Sequence, residues 1–305
     1  MRLMVKLFKI VGVLLLVFLG LLAAFLFWLS HRPFVPGDYT ETVKTGGEIE
    51  AKYMAMGSHK VSYIEAEAPE DWKTFQSYYP ADLPESGELY PVVVLVNGTG
   101  VYASKYPALF RHLASWGFIV LGNEDPSTCA GDSADATLAW LLEENEDPNS
   151  VFYQKVDRKR VGISGHSQGG VGVFNAINDQ PRGGLYSCAV SLSPTEWALA
   201  AALGMEYDPY QTKIPTMILA GAENDVITPD GVKGLFDAVG SDKVAALRKD
   251  TDHGSMLYSG DGYVTAWFMY WLQNDASAGS AFWGDRPEIA GNANWENVLS
   301  GEGAR

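Results

Sequence analysis

Residues 10–29 form an unbroken apolar run, IVGVLLLVFLGLLAAFLFWL, without a charged position. A helix of that length, rising about 1.5 Å per residue, reaches across a hydrocarbon core of about 30 Å, so the run predicts one transmembrane helix. Arg2, Lys6 and Lys9 precede it. By the positive-inside rule, residues 1–9 are then a cytoplasmic basic end and everything past residue 30 lies on the extracytoplasmic side. The run closes on Phe27, Trp28 and Leu29 rather than on the small residues of a cleavage site, which predicts an uncleaved single-pass anchor. Residues 30–55, with Pro33, Pro36, Gly37, Gly46 and Gly47 among Thr and Glu, show neither helical nor strand period and read as a stalk.

From residue 56 the pattern changes. Short apolar runs rich in β-branched residues occur at 61–66, 92–96, 118–122, 160–164, 188–192, 216–220 and 243–247. Helical patterns fill the gaps at 105–116, 133–144, 168–178, 230–239 and 262–274. Strands alternating with helices predict βαβ units, and near-continuous Val, Ile and Leu predict strands covered on both faces. The reading is an α/β domain over 56–285, a doubly wound and mostly parallel sheet, with a tail over 286–305. The Gly- and Asn-rich stretch from 276, which holds Trp283 and Trp295, fits a packed strap or a loose end.

Charge narrows the choice of partners. The first 32 residues hold four basic and no acidic residues, so the remainder carries 18 Lys and Arg against 37 Asp and Glu, a formal charge of −19. Nucleic acid rewards Lys and Arg contacts with counterion release, so no nucleic-acid partner is expected. Cys129 and Cys188 are too few for a disulfide framework and lack the pairing of a zinc site; two buried thiols or one bridge remain open.

One motif carries chemistry. The run RVGIS leads into Gly165-His166-Ser167-Gln168-Gly169-Gly170 and then a helical stretch, giving strand, G-x-S-x-G, helix. In such an elbow the serine sits in a tight turn with its hydroxyl above the sheet, and the helix N-terminus offers N–H groups to an anionic oxygen. Ser167 is the candidate nucleophile. A serine hydroxyl needs a base, usually histidine. Of five histidines, His31, His59 and His112 lie before, or in the helix after, the first central strand, and His166 leaves the elbow in another direction. His253, in the loop after the last predicted strand, lies on the carboxyl edge where ligands of open α/β sheets bind. Asp225, after TMILAG, is the candidate acid that orients it; Glu223 is the rival, and Asp252 is too close in sequence to face its neighbour. The oxyanion donors are the N–H of Gln168 and one from Asn97-Gly98-Thr99-Gly100, assigned to Thr99 with Gly100 as the alternative.

These segments together, PVVVLVNGTG, HLASWGFIVLGNEDPST, VGISGHSQGG, IPTMILAGAENDVITP and DHGSM, resemble the α/β-hydrolase superfamily. The likeness is nearest to its dienelactone-hydrolase and cutinase-like polyester hydrolase branch, which also contains chlorophyllase-like proteins, and covers roughly residues 60–285. It implies an α/β-hydrolase fold with Ser167, Asp225 and His253 as triad and Thr99 and Gln168 as oxyanion donors. Two departures stand out. The polyester enzymes carry an aromatic at the position matching Thr99 and a tryptophan right after the proline matching Pro194, where this chain has Thr195, with Trp197 two residues on. Their carboxyl-terminal disulfide also has no counterpart here.

The expected activity is that of a serine esterase acting on a small-molecule or lipid-like ester through an acyl-serine, with no cofactor and no metal. Acyl transfer or lipid hydrolysis on the same triad, or an inactive hydrolase fold serving as a binding module, are the rivals. Residues 195–212, rich in Ala with Trp197, Met205, Tyr207 and Tyr210, are read as an acyl wall, a small lid or plain helix packing.

Overall fold

The computed structural model describes residues 15, 17–23, 25, 32–69 and 72–303. The chain divides into a unit over 1–34 and a unit over 35–305. In the first unit the described residues within 15–25 are helical. No helix among the described residues is long and apolar enough to cross a membrane, and the expected basic end, most of the expected anchor over 10–29 and His31 lie outside them.

The second unit is built on one nine-stranded sheet. Its strands are β1 (Val61–Glu67), β2 (Thr74–Pro80), β3 (Tyr90–Val96), β4 (Ile119–Asn123), β5 (Val156–His166), β6 (Tyr186–Leu192), β7 (Thr216–Gly221), β8 (Lys243–Arg248) and β9 (Trp295–Gly301). They lie side by side in the order β1-β2-β4-β3-β5-β6-β7-β8-β9. Every pairing from β4 through β8 is parallel, while β1, β2 and β9 join antiparallel at the edges. Strands β3 and β7 are buried along their whole length, as a sheet covered on both faces requires.

The helices that matter here are α1 (Tyr39–Thr42), α2 (Glu48–Met54), α3 (Pro107–Ser115), α4 (Asp132–Glu144), α5 (Gln168–Asn178), α6 (Trp197–Ala202), α7 (Pro229–Ala238), α8 (Met256–Ser259) and α9 (Asp261–Gln273). One face of the sheet packs Phe110 of α3 and Trp267 and Phe268 of α9. The other packs Leu138 and Leu141 of α4, Phe174 of α5 and Leu235 of α7. Helix α7 can start within a few residues of β7 because Pro229 occupies its first turn and the Thr228 hydroxyl accepts from the Gly231 N–H at 3.0 Å.

Two expectations change. The stretch from 35 to 55 is not a stalk: Val35, Tyr39, Tyr53 and Met54 are buried in the core. Tyr39 donates to Asp261, whose carboxylate pairs with His112 at 2.6 Å, and the His112 Nε2 meets the Ala55 carbonyl at 2.9 Å. The tail, left open between two readings, is a strap that ends in β9 beside β8. Cys129 and Cys188 are free thiols, Cys188 fully buried.

Both ends of this unit meet at one buried carboxylate. Glu50 Oε1 accepts from Arg248 at 2.8 Å and from the Trp295 indole at 2.9 Å, and its Oε2 accepts from the Gly46 N–H at 2.7 Å and from Asn292 at 2.8 Å. The Arg248 guanidinium also donates to the Lys44 carbonyl at 2.7 Å. Arg248 closes β8, so this cluster anchors the strand end from which the His253 loop departs. Removing one partner of a buried pair leaves the other charge uncompensated. Glu50→Ala is therefore expected to cost about 3–5 kcal/mol in urea unfolding; a loss below about 1 kcal/mol would show that the cluster does not hold the two termini to the sheet.

Candidate active site

The site lies along the carboxyl edge of adjacent parallel strands. Strand β3 delivers the 97–100 loop, β5 Ser167, β6 Ser193, β7 Asp225 and β8 the His253 loop. The topology thus collects residues scattered over more than 150 positions of the chain at one rim.

Ser167 sits between β5 and α5 at φ 60° and ψ −121°, a backbone conformation that L residues avoid. Its N–H bonds the Leu192 carbonyl at 2.9 Å, which fixes the turn to β6. Neither Gly165 nor Gly169 has positive φ. Their requirement is steric: a Cβ on Gly165 would lie 2.2 Å from the Gly169 carbonyl oxygen, and one on Gly169 would lie 2.2 Å from the Val96 carbonyl oxygen. Glycine at both positions lets β3, β5 and α5 approach closely enough to hold the strained serine.

The three predicted polar side chains come together. Ser167 Oγ lies 3.0 Å from His253 Nε2, and His253 Nδ1 lies 2.9 Å from Asp225 Oδ1. With the proton on Nδ1, the Nε2 lone pair faces the serine hydroxyl. Asp225 is almost wholly enclosed yet fully satisfied. Besides His253, the Val226 N–H donates to Oδ1 at 2.7 Å, and the Ser193 hydroxyl at 2.5 Å and the Gly221 N–H at 2.7 Å donate to Oδ2. Burial alone would raise its pKa, but the bonds from His253, Ser193 and Gly221 outweigh it and hold the carboxyl below its ordinary value. Glu223 and Asp252 make no bond to His253; Asp252 instead caps the Ser255 N–H at 2.8 Å.

Of the two loop donors, the Gly100 N–H is taken by the Pro126 carbonyl at 3.2 Å, so it is not free for an oxyanion. The exposed Thr99 has no backbone acceptor among the described residues. The loop is held by Asn97, whose amide donates to the carbonyls of Asn123 at 2.8 Å and Asp125 at 3.0 Å and whose Oδ1 accepts from Tyr106. The Gln168 side chain accepts from the Thr128 N–H at 3.1 Å, leaving its backbone N–H at the start of α5, beside Ser167.

Two participants were not singled out in the sequence. Ser193, at φ 41°, follows β6 directly and spends its hydroxyl on Asp225. His166 does leave the elbow away from Ser167, but it turns beneath the other histidine: the two rings are 4.6 Å apart, and its Nε2 donates to the His253 carbonyl at 2.7 Å. Its place inside the glycine motif was the available signal. Burial, then the neighbouring His253, lower the His166 pKa to about 4.

The 195–212 segment borders the site. The Gln168 amide touches the Met205 sulfur at 3.3 Å, while Leu199, Leu203 and Tyr210 are exposed. Trp197 does not act as a free aromatic plate: its indole N–H donates to the Tyr207 carbonyl at 3.0 Å and its ring stacks on Tyr210 at 5.8 Å. Among the described residues no group of His, Cys, Asp and Glu is placed to hold a metal ion.

A family model described as PET hydrolase-like matches residues 44–290. Among similar proteins are a bis(hydroxyethyl) terephthalate hydrolase of Streptomyces coelicolor, 29% identical over 50% of this chain and 44% of its own length, and Cutinase 2 of Thermobifida cellulosilytica, 27% identical over 50% and 53%. A platelet-activating factor acetylhydrolase of Cavia porcellus is 27% identical over 36% of each chain. The chain spans about half the length, or less, of these relatives.

The buried His166 gives the site an acid sensitivity whose sign follows from its shift. The unfolded chain takes up a proton near pH 6.5, whereas the folded site resists it to about pH 4. Stability is complete above the first value and falls as pH drops toward the second, by about 3 kcal/mol for a shift of this size. Urea midpoints measured from pH 7 to 4.5 should fall more steeply for the wild type than for His166→Gln; parallel curves would contradict the burial of a neutral imidazole.

Proposed function

We propose that this chain, which belongs to the PET hydrolase-like family, is a serine esterase that cleaves carboxylic esters through an acyl-serine intermediate. The observation that carries the reading is the unbroken line from Ser167 Oγ through His253 to Asp225, at 3.0 and 2.9 Å. His253 Nε2 takes the hydroxyl proton as Oγ bonds to the ester carbonyl carbon, and the Asp225 carboxylate stabilises the imidazolium that results. The backbone N–H groups of Gln168 and Thr99 hold the tetrahedral oxyanion, where each such donor is worth about 3 kcal/mol in the transition state. As the oxyanion collapses, the bond to the alcohol oxygen breaks and His253 returns the proton to it. A water then enters and gives its proton to His253 as its oxygen bonds to the acyl carbon; when the second oxyanion collapses, the bond to Ser167 Oγ breaks, the acid leaves and His253 returns the proton to Oγ.

The substrate we propose is an ester of a small aliphatic acid rather than an aromatic polyester. Thr99 and Thr195 leave the cleft without the two flanking rings that the resemblance would supply, and Trp197 is committed to Tyr207 and Tyr210. A fluorophosphonate probe should label the wild type and leave Ser167→Ala unlabelled. The wild type should hydrolyse p-nitrophenyl butyrate, with His253→Ala slower by about three orders of magnitude or more. Bis(hydroxyethyl) terephthalate should be turned over about tenfold more slowly than ethyl butyrate, whose alcohol is likewise unactivated, the worth of a lost aromatic contact. Absence of labelling would make the fold a binding module, and loss of hydrolysis in favour of transfer to added alcohols would make it an acyltransferase.

For location we propose a single-pass anchor over 10–29 with the catalytic domain outside the cytoplasm. The uncharged run and the basic residues before it support this. The full chain should stay with membranes through an alkaline carbonate wash and be released by detergent; release by carbonate alone would contradict the anchor.

A further inference from the structure

We propose that His166 is a positioning residue for the general base: it grips the His253 main chain and braces the His253 ring, keeping the imidazole in line between Ser167 and Asp225 through both halves of the reaction. The proposal rests on the esterase reading and adds to it a side chain that touches neither the ester nor the hydroxyl.

His253 lies in the loop between β8 and α8, and its ring meets the triad partners only at its two nitrogens. Two end-on hydrogen bonds leave the ring free to tilt about the line that joins them. His166 supplies the missing face contact, with ring centroids 4.6 Å apart and planes inclined by 35°. It also supplies the main-chain restraint, since the His253 carbonyl takes the His166 Nε2–H at 2.7 Å and no backbone N–H among the described residues. A carbonyl only accepts, so the His166 proton is on Nε2 and, in the neutral ring, Nδ1 is bare.

His166 is itself placed by the sheet. It is buried, and its backbone lies in the last position of β5, paired with Leu192 of β6. One side chain therefore holds both the main chain and the ring of His253. Neutrality matters to the same role: burial keeps His166 uncharged, so no second cation stands against the imidazolium that forms on His253 in each step.

The test compares two substitutions on p-nitrophenyl butyrate. His166→Phe keeps a ring under His253 and removes the donor; His166→Gln keeps a donor near the Nε2 position. The expected result is a kcat lowered about 30- to 100-fold in the Phe variant with KM changed less than about threefold, and recovery to within about fivefold of wild type in the Gln variant, as for a base displaced by a fraction of an ångström. Fluorophosphonate labelling should slow in step with kcat. A Phe variant that retains kcat within about threefold, or a loss confined to KM, overturns the proposal. Nitrogen-15 NMR of the wild type gives a check that needs no variant: His166 must be neutral and protonated on Nε2 at pH 6, and a cation or the Nδ1 tautomer there overturns it equally. A wild type that neither hydrolyses esters nor takes the probe defeats the esterase reading instead, which separates the two failures.

Discussion

The site depends on how closely three backbone segments approach where β3 and β5 end and α5 begins. Gly165 and Gly169 face carbonyl oxygens at distances that no Cβ tolerates. Because they carry no side chain, the helix starts one residue after the strand stops, and the residue between them is forced to positive φ. That strained residue is Ser167. Strain of this kind costs of order 1–3 kcal/mol and persists only where surrounding packing over-determines it. Here β3, β6 and α5 enclose the turn. The same approach brings the first N–H of α5 beside the 97–100 loop, so the geometry that exposes the Ser167 hydroxyl also gathers backbone N–H groups around it.

Asp225 and His253 are held differently. Asp225 is nearly enclosed and saturated by four donors, which keeps it ionised and immobile. His253 is less buried and is poised between that fixed carboxylate and a partly exposed hydroxyl. A buried charge with every lone pair occupied is tolerable, whereas one left unpaired is not, so Ser193 and Gly221 are as much a part of the acid as the carboxylate itself. At the carboxyl end of β8, the Glu50 and Arg248 cluster ties the amino- and carboxyl-terminal segments to the strand from which the His253 loop leaves. Segments outside the βαβ core thereby secure one of the loops of the site.

Much of this architecture was legible in the residues. The buried parallel strands announce themselves as Val and Ile runs, and the elbow and the loops after β7 and β8 follow from where those runs end. Strand β2 was missed because TFQSYYP holds Tyr and polar residues where an aliphatic run would be, although six of its seven positions are buried between β1 and β4. The segment from 35 to 55 looked like a stalk because its Pro and Gly mask two short helices whose tyrosines enter the core far from their neighbours in sequence. In the site, Ser167 stands out by its motif and His253 by its place after the last parallel strand, while Asp225 shares its loop with the rival Glu223. The support given by Ser193 and His166 was not, since both act through contacts between strand ends that no local pattern encodes. Thr99 is preferred to Gly100 in the sequence, and the bond that occupies the Gly100 N–H, to the Pro126 carbonyl, is a long-range contact that no local pattern encodes.

The central claim is that Ser167 carries the acyl group while two specific amides receive the negative oxygen. A crystal structure of the protein after reaction with a fluorophosphonate reads this directly, because the phosphonyl group mimics the tetrahedral intermediate. The account requires phosphorus on Ser167 Oγ and the phosphonyl oxygen about 2.7–3.1 Å from the backbone nitrogens of both Thr99 and Gln168. Phosphorus on another residue, or an oxygen turned to solvent with those amides empty, would contradict it.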